Sequence, residues 1–187
     1  MKINDVYIVL MHYPMVSNDG IITTAVTNLD IHDIARVAAT YGVGGYIIVH
    51  PDPSYRSFTK TLVSHWTERA GGKKNPDRKE ALEKVSVVSS LEEGVEIIKK
   101  HIKQTPLVAA TTSRRFPTSK SLKEVVELTQ PVAFLFGTGG GMTQDFLEKA
   151  DIIVEPIETG SNYNHLSVRS AVSIFIDRTD RLCNIHD

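Results

Sequence analysis

The sequence has little that would suggest a secreted or membrane protein. One cysteine, Cys183, stands among 187 residues, so an intramolecular disulfide is impossible, as is common in a reducing cytoplasm. No apolar run reaches the roughly 18 residues of a membrane helix, and the run at 6–11 is too short for a signal peptide. No set of His, Cys and Asp has metal-ligand spacing, so we predict no metal. These absences favour a cytoplasmic protein without membrane contact.

Excess charge is also absent. The formal net charge is -1, with 41% hydrophobic and 23% charged residues, which is typical of one globular domain spanning 1–187. Binding to nucleic acid would therefore need a local basic patch. The segment 55–79 provides one, because it holds seven Lys and Arg against two acidic residues, a net +5. It lies in an insert at about 52–84 that has no strand pattern, and its GGKKNP run at 71–76 indicates a flexible turn.

Short runs rich in Val and Ile alternate with amphipathic segments along most of the chain. This alternation predicts an α/β fold with a mostly parallel six-stranded sheet flanked by helices. The predicted strands are Val6–Leu10, Tyr46–Val49, Val85–Val88, Leu107–Ala110, Val132–Phe136 and Ile152–Val154. The predicted helices are one capped by Asp30 and ended by Gly42, then Leu91–Ile102, Leu122–Leu128, Phe146–Ala150 and Val168–Ile176.

A glycine-rich loop follows the fifth predicted strand, in FLFGTGGGMTQDF at 134–146. Glycines there let a ligand approach the backbone and hydrogen-bond to its amides. No Gly-Lys-Ser/Thr follows, which excludes a P-loop. Met142 stands where a dinucleotide-binding motif needs its last glycine. The loop by itself fits either a ligand site or a plain tight turn.

Three blocks together resemble the SPOUT (α/β-knot) RNA methyltransferases. In the block 27–49, Asn28 opens a helix, Arg36 follows about two turns later, and Tyr41-Gly42 precedes a strand. The loop at Gly137 is placed like the second SPOUT motif. The block DIIVEPIETGSNYNHLSVRSAVSIFID, at 151–177, looks like the third. The similarity is greatest to stand-alone SPOUT RNA methyltransferases that are sometimes fused to a tRNA guanine-N1 methyltransferase.

This resemblance implies a C-terminal trefoil knot, a homodimer formed through the first and last helices, and S-adenosylmethionine held by three knot loops. Knots are too rare to be inferred from a hydrophobic pattern. The cofactor-binding residues that the resemblance implies are Thr111, Thr112, Leu135, Gly137, Thr138, Gly139, Gly140, Glu155, Pro156, Ile157, His165 and Leu166.

The resemblance also implies an RNA substrate, tRNA or rRNA, with methylation of the ribose 2′-oxygen favoured over the base. The catalytic candidates are Arg36, Asn28, Ser167 and Asn164. Ser167 aligns with an asparagine of the family, whose amide Asn164 or Asn162 could supply from a shifted position. The basic runs suggest RNA contacts by Lys73, Lys74, Arg114 and Arg115, while Tyr55, Phe58 and Trp66 are candidates for stacking on unpaired bases.

Other interpretations remain open. The family's ribose methyltransferases carry a glutamate where this chain has Gly139 or Gly140, and an asparagine where it has Ser167. A catalytically inactive module that binds S-adenosylmethionine and RNA is therefore the main alternative. A flavodoxin-like or receiver-like domain ranks lower, because it expects an acidic pocket or phosphate loop near the first strand. His12 and His50, at the ends of the first two predicted strands, are either structural or in contact with substrate.

Overall fold

The computed structural model describes residues 1–158, 160–161 and 163–184. Its strands are β1 (Val6–Met11), β2 (Met15–Ser17), β3 (Gly20–Ile22), β4 (Gly45–Val49), β5 (Val85–Val88), β6 (Leu107–Ala110), β7 (Val132–Gly137) and β8 (Ile152–Ile153). Six of them form one parallel sheet in the order β5–β4–β1–β7–β6–β8. The predicted parallel sheet is confirmed, because strands buried on both faces have nearly continuous apolar sequences.

Helices cover both faces of this sheet. In chain order they are α1 (Asn28–Tyr41), α2 (Pro53–Thr67), α3 (Ala70–Lys74), α4 (Pro76–Glu83), α5 (Leu91–Ile102), α6 (Leu122–Glu127), α7 (Gln144–Leu147) and α8 (Val168–Asn184). Ile34 of α1 and Phe175 of α8 belong to the core layer on one face. Ile98 of α5 and Leu147 of α7 belong to the layer on the other. No helix in the described ranges is long and apolar enough to cross a membrane.

The start of α1 corrects the sequence prediction. Thr27, not Asp30, caps this helix, since the Asp30 amide donates to Thr27 Oγ1 at 3.1 Å. The Asp30 carboxylate in turn accepts a hydrogen bond from the Thr27 amide at 3.2 Å. This reciprocal capping box needs its acid three residues inside the helix, which is why Asp30 resembled a cap in the sequence. The predicted end at Gly42 is confirmed, because Gly42 has a φ of 70°.

The segment 71–76 is not the flexible turn that its glycines suggested. Residues 70–74 form α3, which connects α2 to α4. A Cβ on Gly71 would lie 2.9 Å from the Trp66 ring, and one on Gly72 would lie 2.2 Å from the Trp66 carbonyl oxygen. The glycines therefore permit close packing against Trp66. Most of the basic insert is helical, with α4 packed on α1 and α2 packed on β5.

Three other elements differ from the prediction. The short β2–β3 hairpin has three-residue strands and gave no recognisable pattern. Helix α7 begins two residues before the predicted Phe146 and ends at Leu147. Helix α8 continues past the predicted Ile176, because buried Thr179 and Cys183 extend its inner face with weakly apolar residues.

The trefoil knot concerns the threading of the last segments and stays a prediction.

Candidate active site

Three loops at the carboxyl edge of the sheet surround a cavity of about 250 Å³. They follow β6, β7 and β8, and the first turns of α8 close the remaining side. Parallel sheets gather ligands at this edge because the ends of neighbouring strands meet there. The lining residues are Thr111, Thr112, Ser113, Phe136, Gly137, Gly139, Gly140, Gly141, Met142, Glu155, Ile157, Asn164, His165, Leu166, Val168, Ala171 and Phe175.

The glycine loop after β7 needs glycine for two separate reasons. Gly139 has a φ of +56°, which side chains rarely adopt. Gly140 has no room for a side chain, since a Cβ would lie 2.3 Å from the Val16 carbonyl oxygen. The β2–β3 hairpin is pressed against the loop here, and the Val16 amide donates to the Gly141 carbonyl at 2.8 Å. The bare backbone therefore faces the cavity while the hairpin supports it from behind.

The loop after β6 joins the other two loops. The Thr111 hydroxyl donates to the Leu135 carbonyl at 2.8 Å, which fixes this loop to β7. The Arg114 guanidinium donates to the Met142 carbonyl at 3.2 Å, in the glycine loop. The Asn164 side chain donates to the Ser113 carbonyl at 3.2 Å, from the third loop. Residues 111–114 therefore form hydrogen bonds with both of the other loops that line the cavity.

Arg115 connects the loop after β6 to the loop after β8 through two carboxylates. Its guanidinium lies 2.8 Å from Glu155 Oε1 and 2.8 Å from Glu158 Oε2. The hydrogen bond from Arg115 lowers the pKa of Glu158. Glu155 also lines the cavity, so this clamp sets the position of a wall residue.

A chain of hydrogen bonds lies behind the glycine loop. Thr138 Oγ1 donates to the Met11 carbonyl at 3.1 Å and lies 2.5 Å from Thr24 Oγ1. The Thr24 hydroxyl is also 3.0 Å from Nδ1 of His12. Because Thr138 uses its proton on Met11, the Thr24 proton goes either to Thr138 or to the His12 carbonyl at 3.4 Å. In both cases Thr24 Oγ1 accepts from Nδ1 of His12. The network ties the glycine loop to the end of β1 and to the segment before α1.

His12 and His50 have structural positions at this edge. His12 is fully buried, and its Nε2 has no partner in the described chain. Burial, together with a smaller effect of the neighbouring His50, lowers the pKa of His12 to about 4. His50 Nε2 lies 3.0 Å from the Thr24 carbonyl, and its Nδ1 accepts from the Asp52 amide at 3.1 Å. Neither ring lines the cavity.

Most residues predicted to bind the cofactor do line the cavity, and three do not. Leu135, Thr138 and Pro156 are absent from its lining. Leu135 points into the opposite core layer, with Val9, because side chains alternate along a strand. The predicted residues that line the cavity are Thr111, Thr112, Gly137, Gly139, Gly140, Glu155, Ile157, His165 and Leu166.

The apolar back of the cavity was missed at the sequence level. Phe136, adjacent to Leu135, provides the β7 side chain that reaches it. Val168, Ala171 and Phe175 provide one face of α8. Two patterns in the sequence could have identified these residues. Side chains alternate between the two faces of the sheet along β7, and residues three and four apart share one face of α8.

The structure separates the predicted catalytic residues. Asn164 lines the cavity, whereas Asn162 lies outside the described residues. Arg36 and Ser167 lie instead in a groove between α1 and α8. Ser167 immediately precedes α8 and caps it, since its hydroxyl accepts a hydrogen bond from the Ser170 amide at 3.2 Å. Asn28 is exposed at the first position of α1. Within the described residues, no group of His, Cys, Asp or Glu could hold a metal ion.

The predicted RNA-binding residues fall into two kinds. Lys73 and Lys74 are exposed on α3, whereas Arg114 and Arg115 are bonded within the cavity walls. Two of the aromatic candidates for base stacking are also occupied. The Tyr55 ring lies 4.4 Å from the His50 ring, and Arg78 lies 4.5 Å above the centre of Trp66. Phe58 is 44% exposed and remains accessible.

Known proteins match the chain at the levels of sequence and fold. It is 41% identical over 177 residues to a tRNA (guanine-N(1)-)-methyltransferase of Oleidesulfovibrio alaskensis, covering 93% of this chain and 41% of that protein. The chain therefore spans about two fifths of that relative. An Aquifex aeolicus TrmH/SpoU tRNA modifying enzyme superposes with a TM-score of 0.61 at 15% identity, covering 99% of this chain and 78% of that one.

A further fold neighbour was solved with a ligand. The SpoU methyltransferase AviRb from Streptomyces viridochromogenes, in complex with the cofactor AdoMet, has a TM-score of 0.61 at 14% identity, covering 97% of this chain and 58% of that one. These neighbours show the SPOUT fold that the sequence blocks predicted. The model of the SAM-dependent RNA methyltransferase family matches residues 5–181, nearly the full length. The chain therefore belongs to the S-adenosylmethionine-dependent RNA methyltransferases.

Proposed function

We propose that this chain methylates tRNA with S-adenosylmethionine bound in the cavity between its three loops. The observation that carries this is the character of the cavity, which combines bare glycine backbone with apolar and polar side chains, Glu155 among them. Phe136, Ile157 and Leu166 offer apolar surface for an adenine ring, and the hydroxyls of Thr111 and Thr112 offer hydrogen bonds. The cofactor supplies an electrophilic methyl group, and the residues of the chain orient it.

The acceptor that we favour is a ribose 2′-hydroxyl positioned by Arg36. The Arg36 side chain is exposed, and Asp33, its neighbour along α1, is instead paired with Arg169 at 2.7 Å. Arg36 forms no ion pair within the described residues, so in this proposal its guanidinium attracts the hydroxyl oxygen or the adjoining phosphate. Orientation of this kind accounts for much of the rate of a displacement reaction. In this proposal Asn28, Ser167 and Asn164 orient the acceptor.

Methylation of a guanine base is the second candidate. It is favoured by the name of the relatives, tRNA (guanine-N(1)-)-methyltransferase. That name describes proteins of which the chain matches 41%, so their activity need not lie in the matching part. Nuclease digestion of the methylated tRNA followed by mass spectrometry distinguishes a methylated ribose from a methylated base.

The groove between α1 and α8 supports a homodimer. Arg36 faces this groove with Thr40, Ser170 and Ser173, and not the cavity of its own chain. A second protomer packed on α1 and α8 would bring Arg36 to the partner's cavity, so each site would need both chains. Sedimentation at micromolar concentration should give a dimer, and a monomer would contradict this part of the proposal.

Two assays test the proposed activity, for which the cytoplasm is the expected location. Calorimetry should show S-adenosylmethionine binding with a Kd of roughly micromolar order, about -8 kcal/mol. Transfer of a tritiated methyl group to undermodified bulk tRNA should then be observed. Binding without transfer would favour the inactive cofactor- and RNA-binding module. No binding of the cofactor would overturn the proposal itself.

A further inference from the structure

His32 and Arg78 flank Trp66, where the helical insert packs on α1, and Arg36 lies near His32. His32 and Arg36 are four residues apart on α1 and share one helix face. The His32 ring lies 5.9 Å from the Trp66 ring, nearly perpendicular to it. Arg78 of α4 lies 4.5 Å above the centre of the same ring. We refer to His32, Arg36 and Arg78 as the Trp66 basic cluster.

No described carboxylate forms an ion pair with either arginine of this cluster. The nearby Asp33 is engaged by Arg169 at 2.7 Å. Burial lowers the pKa of His32, and Arg78 and Arg36 lower it further, although Asp33 acts in the opposite direction. His32 Nδ1 is buried and has no partner within the described chain. The positive charge of the cluster therefore comes from Arg36 and Arg78, and no ion pair within the described residues neutralises it.

The positive surface continues from Arg78 to α3. Asn75 connects the two helices, and its side chain accepts a hydrogen bond from the Arg78 amide at 3.0 Å. Lys73 and Lys74 immediately precede Asn75 and are exposed. Of the other basic residues of the insert, Lys79 pairs with Glu83 and Arg56 donates to the His50 carbonyl. Lys73, Lys74 and Arg78 therefore lie on neighbouring helices of the insert, and α4, which carries Arg78, packs on the helix that carries Arg36.

We propose that the Trp66 basic cluster binds the phosphodiester backbone of the RNA substrate and guides it from the insert towards Arg36. This inference rests on the proposed function and assigns Arg78 as a further RNA-binding residue. Stacking on Trp66 holds the Arg78 guanidinium flat and leaves its edge N–H groups for phosphate oxygens. A phosphodiester fits this geometry because it offers negative charge and hydrogen-bond acceptors together.

Substitution of Arg78 by Met tests the cluster with little loss of packing, because methionine retains an unbranched chain over Trp66. Binding of fluorescently labelled bulk tRNA would be measured over a series of salt concentrations. Arg78→Met should weaken binding about three- to tenfold and reduce the slope of log K against log salt by about one, since one phosphate contact is lost. Arg78→Lys should recover most of the affinity.

Lys100→Met is the matched control, because Lys100 is an exposed lysine on α5, against the opposite face of the sheet. It should change neither affinity nor slope. The double variant Lys73→Ala, Lys74→Ala provides a second test at exposed positions if Arg78→Met proves unstable. Wild-type affinity and slope in the Arg78 and lysine variants would overturn the inference.

The proposed function is measured separately in the same samples, as calorimetric affinity for S-adenosylmethionine and as methyl transfer by the wild-type protein. If the wild-type protein methylates tRNA and the variants bind it normally, only the basic cluster fails. If the wild-type protein binds no tRNA, both the cluster and the proposed RNA substrate fail.

Discussion

The two basic regions of the chain use their charges differently. Around the cavity, Arg114 donates to a backbone carbonyl and Arg115 pairs with Glu155 and Glu158. In the insert and on α1, Arg78 and Arg36 have no carboxylate partner among the described residues. The first pair holds loops together, and the second faces solvent. A count of basic residues thus does not identify which charges are available to a ligand.

The same contrast holds for the surfaces that these residues build. The cavity is bounded by backbone, apolar and polar side chains, and hydrogen bonds between loops fix their positions, as where Arg115 holds the Glu155 carboxylate. The insert instead presents the exposed Lys73 and Lys74 on α3, and Arg78 over the ring of Trp66. A cofactor site requires a pre-formed cavity of the right shape. A surface that binds RNA phosphates requires mainly basic side chains that are not neutralised by carboxylates. Variants should therefore separate the two regions, since damage to one leaves the function of the other measurable.

We expect the largest effect on cofactor affinity from a substitution on α8 that fills the cavity. Ala171→Leu places a branched side chain in a cavity of about 250 Å³ and keeps a good helix former. S-adenosylmethionine affinity should fall by roughly a hundredfold or more, as measured by calorimetry. Ala171→Ser is the control, because it leaves the cavity open and should bind nearly normally. Normal binding by Ala171→Leu would place the cofactor elsewhere.

The next effect concerns the rate of transfer and not the cofactor. Arg36→Ala should lower single-turnover methylation at saturating tRNA by about a hundredfold. The affinity for S-adenosylmethionine should remain unchanged, because Arg36 is outside the cavity of its own chain. Arg36→Lys, which keeps the charge without the planar fork, should recover part of the rate. A wild-type rate for Arg36→Ala would show that Arg36 only binds RNA and takes no part in the transfer step.

The hydrogen-bond network behind the glycine loop predicts a dependence of stability on pH. The pKa of His12 is about 4 in the folded chain, against 6.5 for a free histidine. The unfolded chain takes up this proton first, so stability is complete above about pH 6.5 and is lost as the pH falls towards 4. Between pH 7 and pH 5 the free energy of unfolding should fall by about 2 kcal/mol from this residue.

Chemical denaturation of His12→Asn at the two pH values checks this, because asparagine keeps a donor for Thr24 but does not titrate. The variant should lose most of the pH dependence. Some should remain, since burial also lowers the pKa of His50. An unchanged pH dependence in the variant would show that His12 does not cause it.

The smallest expected effect tests the clamp between loops. Arg115→Ala should weaken S-adenosylmethionine binding about three- to fivefold, because exposed ion pairs contribute little each. Glu158→Gln should produce a similar loss, and the double variant should lose little more than either single variant. High salt should reduce the difference from the wild type. A loss of tRNA affinity with cofactor binding intact would instead make Arg115 an RNA contact.

Secondary structure was predicted best from the sequence where a local pattern of residues is compatible with only one kind of element. The six buried strands and helix α5 were predictable from hydrophobic pattern, and α5 runs over the predicted Leu91–Ile102. The glycine-rich segment was recognisable from the sequence as either a ligand site or a tight turn, and the structure shows that Gly139 and Gly140 meet backbone and steric demands that favour glycine. Leu135 was chosen in place of Phe136 because the adjacent residues are equally apolar, and only strand register decides which one faces the cavity.

Amino-acid order by itself therefore determined the sheet, the helices on both its faces and, through three motif blocks, the methyltransferase family. The tertiary structure decided which polar and charged groups are engaged. It paired Arg115 with two glutamates some 40 residues away in the chain, buried His12, and packed the Gly71–Gly72 pair on Trp66. These outcomes depend on contacts between distant segments, and periodicity and composition describe only neighbours along the chain. The available charges at Arg36 and Arg78 became recognisable only once those partners were known.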